Sequence, residues 1–272
     1  MRRLPVAAFV ALAIATIAAF FVTQHLKVTT PLIAGFPAPY PSAINPVNGQ
    51  VCLRRNSKGK LVPVSFRRMK VSFYLLNQAD NVDVYIVDSD GDIVRELPGS
   101  GIHMAIKKRH PFVWDGREDN GSIAPDGTYN IKVSLIHQGR SVLISNNSGA
   151  EPVTVLTVAP KPRITNVTPD VISGSGNGTG ATISYTGADG LQTRILVYRS
   201  VGSGAPQLLK SFAGGRNGSA VWDGTARGGS PAAPGTYAFR LKVIDKACNV
   251  GFYPAQWPPV GGTVPGDMVT VR

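Results

Sequence analysis

Two cysteines, four histidines and one run of alternating carboxylates are the residues of this 272-residue chain whose types and spacing could do chemistry. In Asp88-Ser-Asp-Gly-Asp92 three carboxylates fall at alternate positions around a glycine, a cluster that suits a hard cation such as Ca²⁺, which takes roughly six to eight oxygen ligands. An EF-hand loop would also need a distal carboxylate where this chain has Gly99, and here the strand-like run Ile93-Val-Arg-Glu-Leu97 follows at once. The segment therefore reads as a hairpin turn in which Asp90-Gly91 meets the required dihedrals. The histidines, His25, His103, His110 and His137, are neither paired one helical turn apart nor framed by Cys-x-x-Cys, which argues against zinc. No Gly-x-Ser-x-Gly nucleophile elbow exists. Gly174-Ser-Gly-Asn-Gly178 comes nearest, lacks the central nucleophile and reads as a flexible loop. No catalytic residue, metal ligand or cofactor is expected, and the chain reads as a non-enzyme.

The cysteines, Cys52 and Cys248, carry the remaining chemistry. Outside the cytoplasm such a pair can oxidise, and a bridge closing a loop of nearly two hundred residues would stabilise the fold by about 5 kcal/mol on chain entropy. It requires Cα atoms within about 7 Å, which two domains laid end to end would not provide. An interdomain disulfide, two buried free thiols and a link between chains all stay open.

The elements that must position these groups are announced by a motif written twice. Val-Trp-Asp-Gly occurs at 113–116 and at 221–224, and each copy closes on Gly-Thr-Tyr, at 127–129 and 235–237. Trp114 and Trp222 lie 108 residues apart, the length of one small β-sandwich. In each copy an apolar stretch runs into the Trp, and Asp115-Gly116 or Asp223-Gly224 supplies a tight turn. A polar Pro/Gly-rich loop follows, and Gly127 or Gly235 then opens an alternating strand. Tyr129, Ile131, Val133 and Leu135 share one face of the first such strand; Tyr237, Phe239, Leu241 and Val243 share one face of the second. A Tyr at a strand start can bury its ring and return its hydroxyl to nearby backbone, while the Trp plugs the core from the facing sheet.

This pattern resembles the immunoglobulin-like domain of the flagellar hook-capping protein FlgD, whose relatives recur in secreted and surface bacterial proteins. The resemblance covers residues 51–272, and the first copy, with Asp119-Asn120-Gly121 and Pro125-Asp126-Gly127, is the closer match. In the second copy Arg227-Gly-Gly229 and Ala233-Pro234-Gly235 have lost acids from the loop. The resemblance implies a structural or accessory module and no catalytic residues. It also implies that Cys248 stands where relatives commonly carry a turn glycine.

Upstream of the repeats, Met1-Arg-Arg3 precedes Leu4 to Val22, nineteen residues without a charge. As a helix these span about 28 Å, close to the roughly 30 Å hydrocarbon core of a bilayer. Residues 1–22 therefore read as a transmembrane signal anchor, or a secretory signal if cleaved. Arg2 and Arg3 before it, against Lys27 after it, place the N-terminus in the cytoplasm and the remainder outside. Residues 23–50 hold Pro31, Pro37, Pro39, Pro41 and Pro46 and read as a semi-rigid stalk, with packing onto the first domain as the alternative because of Leu32, Ile33, Phe36 and Tyr40. The two sandwiches then occupy 51–160 and 161–272, divided at Pro160-Lys161-Pro162.

The net charge of +12 divides as +3 for residues 1–50, +3 for the first repeat and +6 for the second. Seven basic residues and no acid fall within residues 51–70 (Arg54, Arg55, Lys58, Lys60, Arg67, Arg68, Lys70). They could meet anionic lipid or an acidic wall polymer, or be balanced by the ten acids between Asp80 and Asp126. No nucleic-acid-binding motif accompanies the charge.

The sequence thus predicts an all-β protein of two tandem FlgD-like immunoglobulin-like sandwiches behind one N-terminal transmembrane helix, a membrane-anchored extracytoplasmic structural or binding protein. Its partners would be the membrane and an envelope protein or acidic cell-wall polymer. A carbohydrate-binding accessory module, using Trp257 and Tyr253 as a platform, is the alternative; a hook-assembly role is disfavoured, because a capping protein would need a separate hook-binding region.

Overall fold

A computed structural model describes the chain apart from residues 1, 2, 30, 36, 37, 145–150, 175–179, 189, 190, 201–204, 216 and 259–267; within the N-terminal helix it describes the side chains of residues 8–23. The loop at 174–178 lies almost wholly outside the described residues.

Helix α1 (Arg3–Thr29) is followed by twelve strands that build the first half. They are β1 (Ile33–Ala34), β2 (Ala43–Ile44), β3 (Val51–Arg55), β4 (Leu61–Ser65), β5 (Met69–Leu75), β6 (Asp80–Val87), β7 (Ile93–Glu96), β8 (Ile102–Met104), β9 (His110–Trp114), β10 (Gly127–Leu135), β11 (Arg140–Leu143) and β12 (Val153–Val155). The second half holds β13 (Arg163–Thr168), β14 (Val171–Ile172), β15 (Ala181–Thr186), β16 (Gln192–Arg199), β17 (Gln207–Ala213), β18 (Ser219–Trp222), β19 (Gly235–Ile244), β20 (Val250–Tyr253) and β21 (Met268–Val271).

Each half is a two-sheet sandwich of the same plan. In the first, the order β1-β5-β9 faces β2-β12-β10-β6-β7, with β11 on β10 and β8 on β6. In the second, β13-β15-β18 faces β14-β21-β19-β16-β17, with β20 on β19. Both larger sheets open with a parallel pair, β2 on β12 and β14 on β21, and are otherwise antiparallel. The expected alternation holds: Tyr129, Ile131, Val133 and Leu135 are buried along β10, as are Tyr237, Phe239, Leu241 and Val243 along β19. The two apolar cores are separate, one drawn from residues 44–155 and the other from 164–271.

Two features differ from the sequence expectation. First, the Pro-rich segment does not run free over its described residues 31–35 and 38–47. Ile33 pairs with Leu75, Tyr40 bridges Lys70, and β2 hydrogen-bonds in parallel to β12, so this stretch is an edge of the first sandwich. Second, β3 and β4 join neither sheet. They form a two-stranded ribbon of their own, pairing Cys52 with Val64 and Arg54 with Val62. Helix α1 runs for 27 residues, and no helix among the described residues is long and apolar enough to cross a membrane. The described side chains of α1, Ala8 to Thr23, are all exposed.

Candidate functional site

The two motif copies share one geometry, and it explains their composition. Trp114 closes β9 and Trp222 closes β18, each pointing across to the opposite sheet, 1% and 0% exposed. Burying an indole requires a partner for its N–H. Trp114 Nε1 donates to the Arg117 carbonyl at 2.8 Å and Trp222 Nε1 to the Thr225 carbonyl at 2.9 Å. That carbonyl is brought round by the turn. Asp115 accepts the Arg117 N–H at 3.2 Å and Asp223 the Thr225 N–H at 3.1 Å, while Gly116 and Gly224 take φ of 76° and 73°, a region closed to most side chains. The Tyr129 hydroxyl donates to the Pro125 carbonyl at 2.8 Å and the Tyr237 hydroxyl to the Ala233 carbonyl at 2.6 Å. Their rings meet the indoles at 5.2 and 5.0 Å between centroids. Gly127 and Gly235 open the strands behind these tyrosines. The motif residues are therefore an internal frame, and the surface loops between Trp and Tyr are what they hold out.

Charge adds a second tether in the later copy. Burial alone would raise the Asp223 pKa, but the Thr225 hydroxyl at 2.6 Å, the Lys210 ammonium at 2.9 Å and the Thr225 N–H hold it at about 2. Asp80, at the start of β6, is fully buried and accepts the N–H groups of Asn81, His137 and Gln138 as well as a contact from His137 Nδ1 at 2.9 Å. Against the upward push of burial, these donors hold its pKa below the ordinary carboxylate value. Both groups titrate lower in the folded chain than in the unfolded one, where an Asp has a pKa near 3.9. Their stabilisation is therefore complete above about pH 4 and is lost as pH falls through the folded-state values. Denaturant unfolding at pH 7 and pH 3 should show a smaller loss of stability for Asp80→Asn than for the native chain; parallel losses would contradict this role for Asp80.

The carboxylates at 88–92 form a turn. Asp88 Oδ1 accepts the N–H groups of Asp90 and Asp92 at 3.0 and 2.9 Å, and Gly91 sits at φ 91°. Asp88 is thereby committed to the backbone. Among the described residues no three His, Cys, Asp or Glu side chains are grouped to hold a metal.

The cysteines meet. Cys52 on β3 is disulfide-bonded to Cys248 in the turn after β19, with Cα atoms 6.6 Å apart. Of the three states left open by the sequence, the interdomain bridge is the one formed, because the domains do not simply stand end to end. The β3–β4 ribbon reaches over to the second sandwich, and Val64 and Phe66 pack with Cys248, Val62 and Ile244 in a small third core. Cys248 has φ 66°, the left-handed conformation that a turn glycine would otherwise supply. Beneath the bridge lies a polar lock. Asn45, 1% exposed, donates from Nδ2 to Asn249 Oδ1 at 2.7 Å and accepts from the Val47 and Asn48 N–H groups. Asn249 Nδ2 donates to the Leu156 carbonyl at 2.9 Å and to Asp245 Oδ2 at 2.8 Å. Nothing in the spacing of Asn45 and Asn249, 204 residues apart, marks them as partners.

Of the carbohydrate-platform candidates, Tyr253 packs on the second core. Trp257 lies half-buried against Tyr198 at 4.5 Å, with the Arg240 guanidinium 5.9 Å from its ring. The structure does not bring Trp257 and Tyr253 together as a stacked pair.

The fold is that of two like β-sandwiches, each plugged by a Trp–Tyr pair. Comparison with known proteins narrows this for the first half: the family model of the FlgD Ig-like domain matches residues 60–139, which carry such a domain. The chain is similar to the basal-body rod modification protein FlgD of Salmonella typhimurium, 33% identical over 69 residues, covering 25% of this chain and 28% of that protein. It is also similar to FlgD of Escherichia coli K12, 33% identical over 69 residues, 25% of this chain and 29% of that protein. The match thus spans less than a third of those relatives. Among solved structures, a tetra-tandem repeat from the extending region of a large adhesion protein aligns at 14% identity and TM-score 0.29, over 74% of this chain and 53% of that one. Dimeric latent PorU from Porphyromonas gingivalis aligns at 15% identity and TM-score 0.25, over 82% and 20%.

Proposed function

We propose that the protein is a non-enzymatic, extracytoplasmic structural module held at the membrane by α1, presenting its two sandwiches as one fastened unit for contact with another component of the cell envelope. The observation that carries this is the Cys52–Cys248 bridge, with Cα atoms 6.6 Å apart across the domain boundary. Such a bond persists in oxidising compartments and not in a reducing cytosol. A second support is α1 itself. Among its described side chains Phe9, Leu12, Ile14, Ile17, Phe20 and Phe21 are all more than half exposed, and an apolar surface of that kind is stabilised by an apolar surrounding. Arg2 and Arg3 on its N-terminal side orient it with the sandwiches outward. A FlgD-like domain supports the structural class, and the flagellar role of FlgD is not carried over.

Reporter fusions test the reading. Alkaline phosphatase joined after Arg272 of the full chain should be active, and a fluorescent protein at the same place dark, with both fusions recovered in membranes after carbonate washing. A fluorescent, soluble fusion would sink the proposal.

A further inference from the structure

We infer that the cleft where the Pro-rich arm, the β3–β4 ribbon and the second sandwich meet is a binding site for a linear anionic polysaccharide. It rests on the envelope-facing reading above and adds to it a site and a ligand class. The cleft has a volume of about 430 Å³, and its walls include Tyr40, Arg54, Arg55, Phe66, Glu151 and Lys246. Three cations therefore line a cleft with one carboxylate, Arg55 already donating from Nη1 to the Gly59 carbonyl at 2.7 Å. Among the described residues the ion pairs involve Arg95, His137 and Lys210, so none of the three cleft cations is neutralised. Among the described residues no ion pair involves the basic block at 54–70 either, and of the acids that follow it in sequence Asp80 is turned to the turn at 137–138, Asp88 to its own hairpin and Asp119 to Arg95.

Shape selects among anionic partners. A bilayer presents a plane of headgroups, whereas these cations line an open concavity of about 430 Å³. Arg54 is held in place, its guanidinium 5.3 Å from the centre of the Phe66 ring, so it offers N–H donors at little further cost in side-chain entropy. Tyr40 at the mouth is 57% exposed, an aromatic face against which a sugar ring can lie while its carboxylate or phosphate meets Arg54 and Lys246. Lys246 comes from the turn that carries Cys248, and Arg54 and Arg55 from the strand that carries Cys52. The disulfide therefore fixes the spacing of the cations on the two sides.

The experiment is a titration of the full chain in detergent micelles with a fluorescent oligogalacturonate, read by anisotropy, alongside its neutral methyl ester, a poly-glutamate peptide and glycerophosphoglycerol, the water-soluble headgroup of an anionic lipid. The charged oligomer should bind and the neutral one should not. Lys246→Glu and Arg54→Glu should each weaken binding by about tenfold or more, with melting temperatures unchanged. Glu151→Gln should tighten it, and reduction of the disulfide should weaken it although every cation remains. The inference is overturned if the charged oligomer does not bind, if poly-glutamate or the lipid headgroup binds as tightly, or if Lys58→Glu with Lys60→Glu at the ribbon tip abolishes binding while Lys246→Glu leaves it intact. Reporter topology is read independently: a cytoplasmic C-terminus removes the envelope reading whatever the titration gives, and a failed titration leaves that topology standing.

Discussion

Replacing Trp222 by alanine is expected to cost the second sandwich about 3–5 kcal/mol, the range for emptying a fully buried aromatic site. The indole is 0% exposed and packs on Tyr237 and Phe239 at 5.0 and 5.8 Å between centroids. Truncation would remove these contacts and leave the Thr225 carbonyl, accepting at 2.9 Å, without its donor. Trp222→Phe would refill most of the volume and forfeit the hydrogen bond, so it should cost distinctly less. Trp114→Ala should behave alike in the first sandwich, where the indole donates to Arg117 and meets Tyr129. Urea unfolding of the four proteins checks this; a loss below about 1 kcal/mol for either alanine variant, the level of a surface change, would show that the indole is not the interior plug.

The second large effect belongs to the bridge. Cys52→Ser should remove about 2–5 kcal/mol, since the bond closes a loop of 196 residues in the unfolded chain. It should also split unfolding into two transitions, because the ribbon core and the Asn45–Asn249 lock would then hold the sandwiches together unaided. Cys248→Gly breaks the same bond but places glycine at φ 66°, and should therefore be about 1 kcal/mol more stable than Cys248→Ser. Differential scanning calorimetry of these variants distinguishes the outcomes: an unchanged single transition in Cys52→Ser would mean that the bridge does not fasten the domains.

What could be read before the structure was whatever is written locally. A period of two exposes the faces of β10 and β19, and the same Trp–Asp–Gly turn with the same Tyr return, found twice, discloses both cores. Gly116 and Gly224 were legible because a tight turn demands them. The junction was not legible, since its parts are brought together from far apart. β2 pairs in parallel with a strand more than a hundred residues later, at Thr154 with Ala43, and proline content alone makes that segment resemble a free stalk. Whether Cys52 could reach Cys248 depended on a ribbon belonging to neither sheet, and its alternation matches that of any sandwich strand. The basic block posed the same difficulty: sequence counts neighbouring acids, whereas geometry decides which of them are engaged elsewhere.

The direct trial of two sandwiches fastened into a single unit is a non-reducing peptide map of the full chain by mass spectrometry, after alkylation of any free thiol. One species should join the peptide containing Cys52 to the peptide containing Cys248 within a monomer of the expected mass, with no alkylated cysteine. Alkylated Cys52 and Cys248, or a linked pair found only in a covalent dimer, would contradict it.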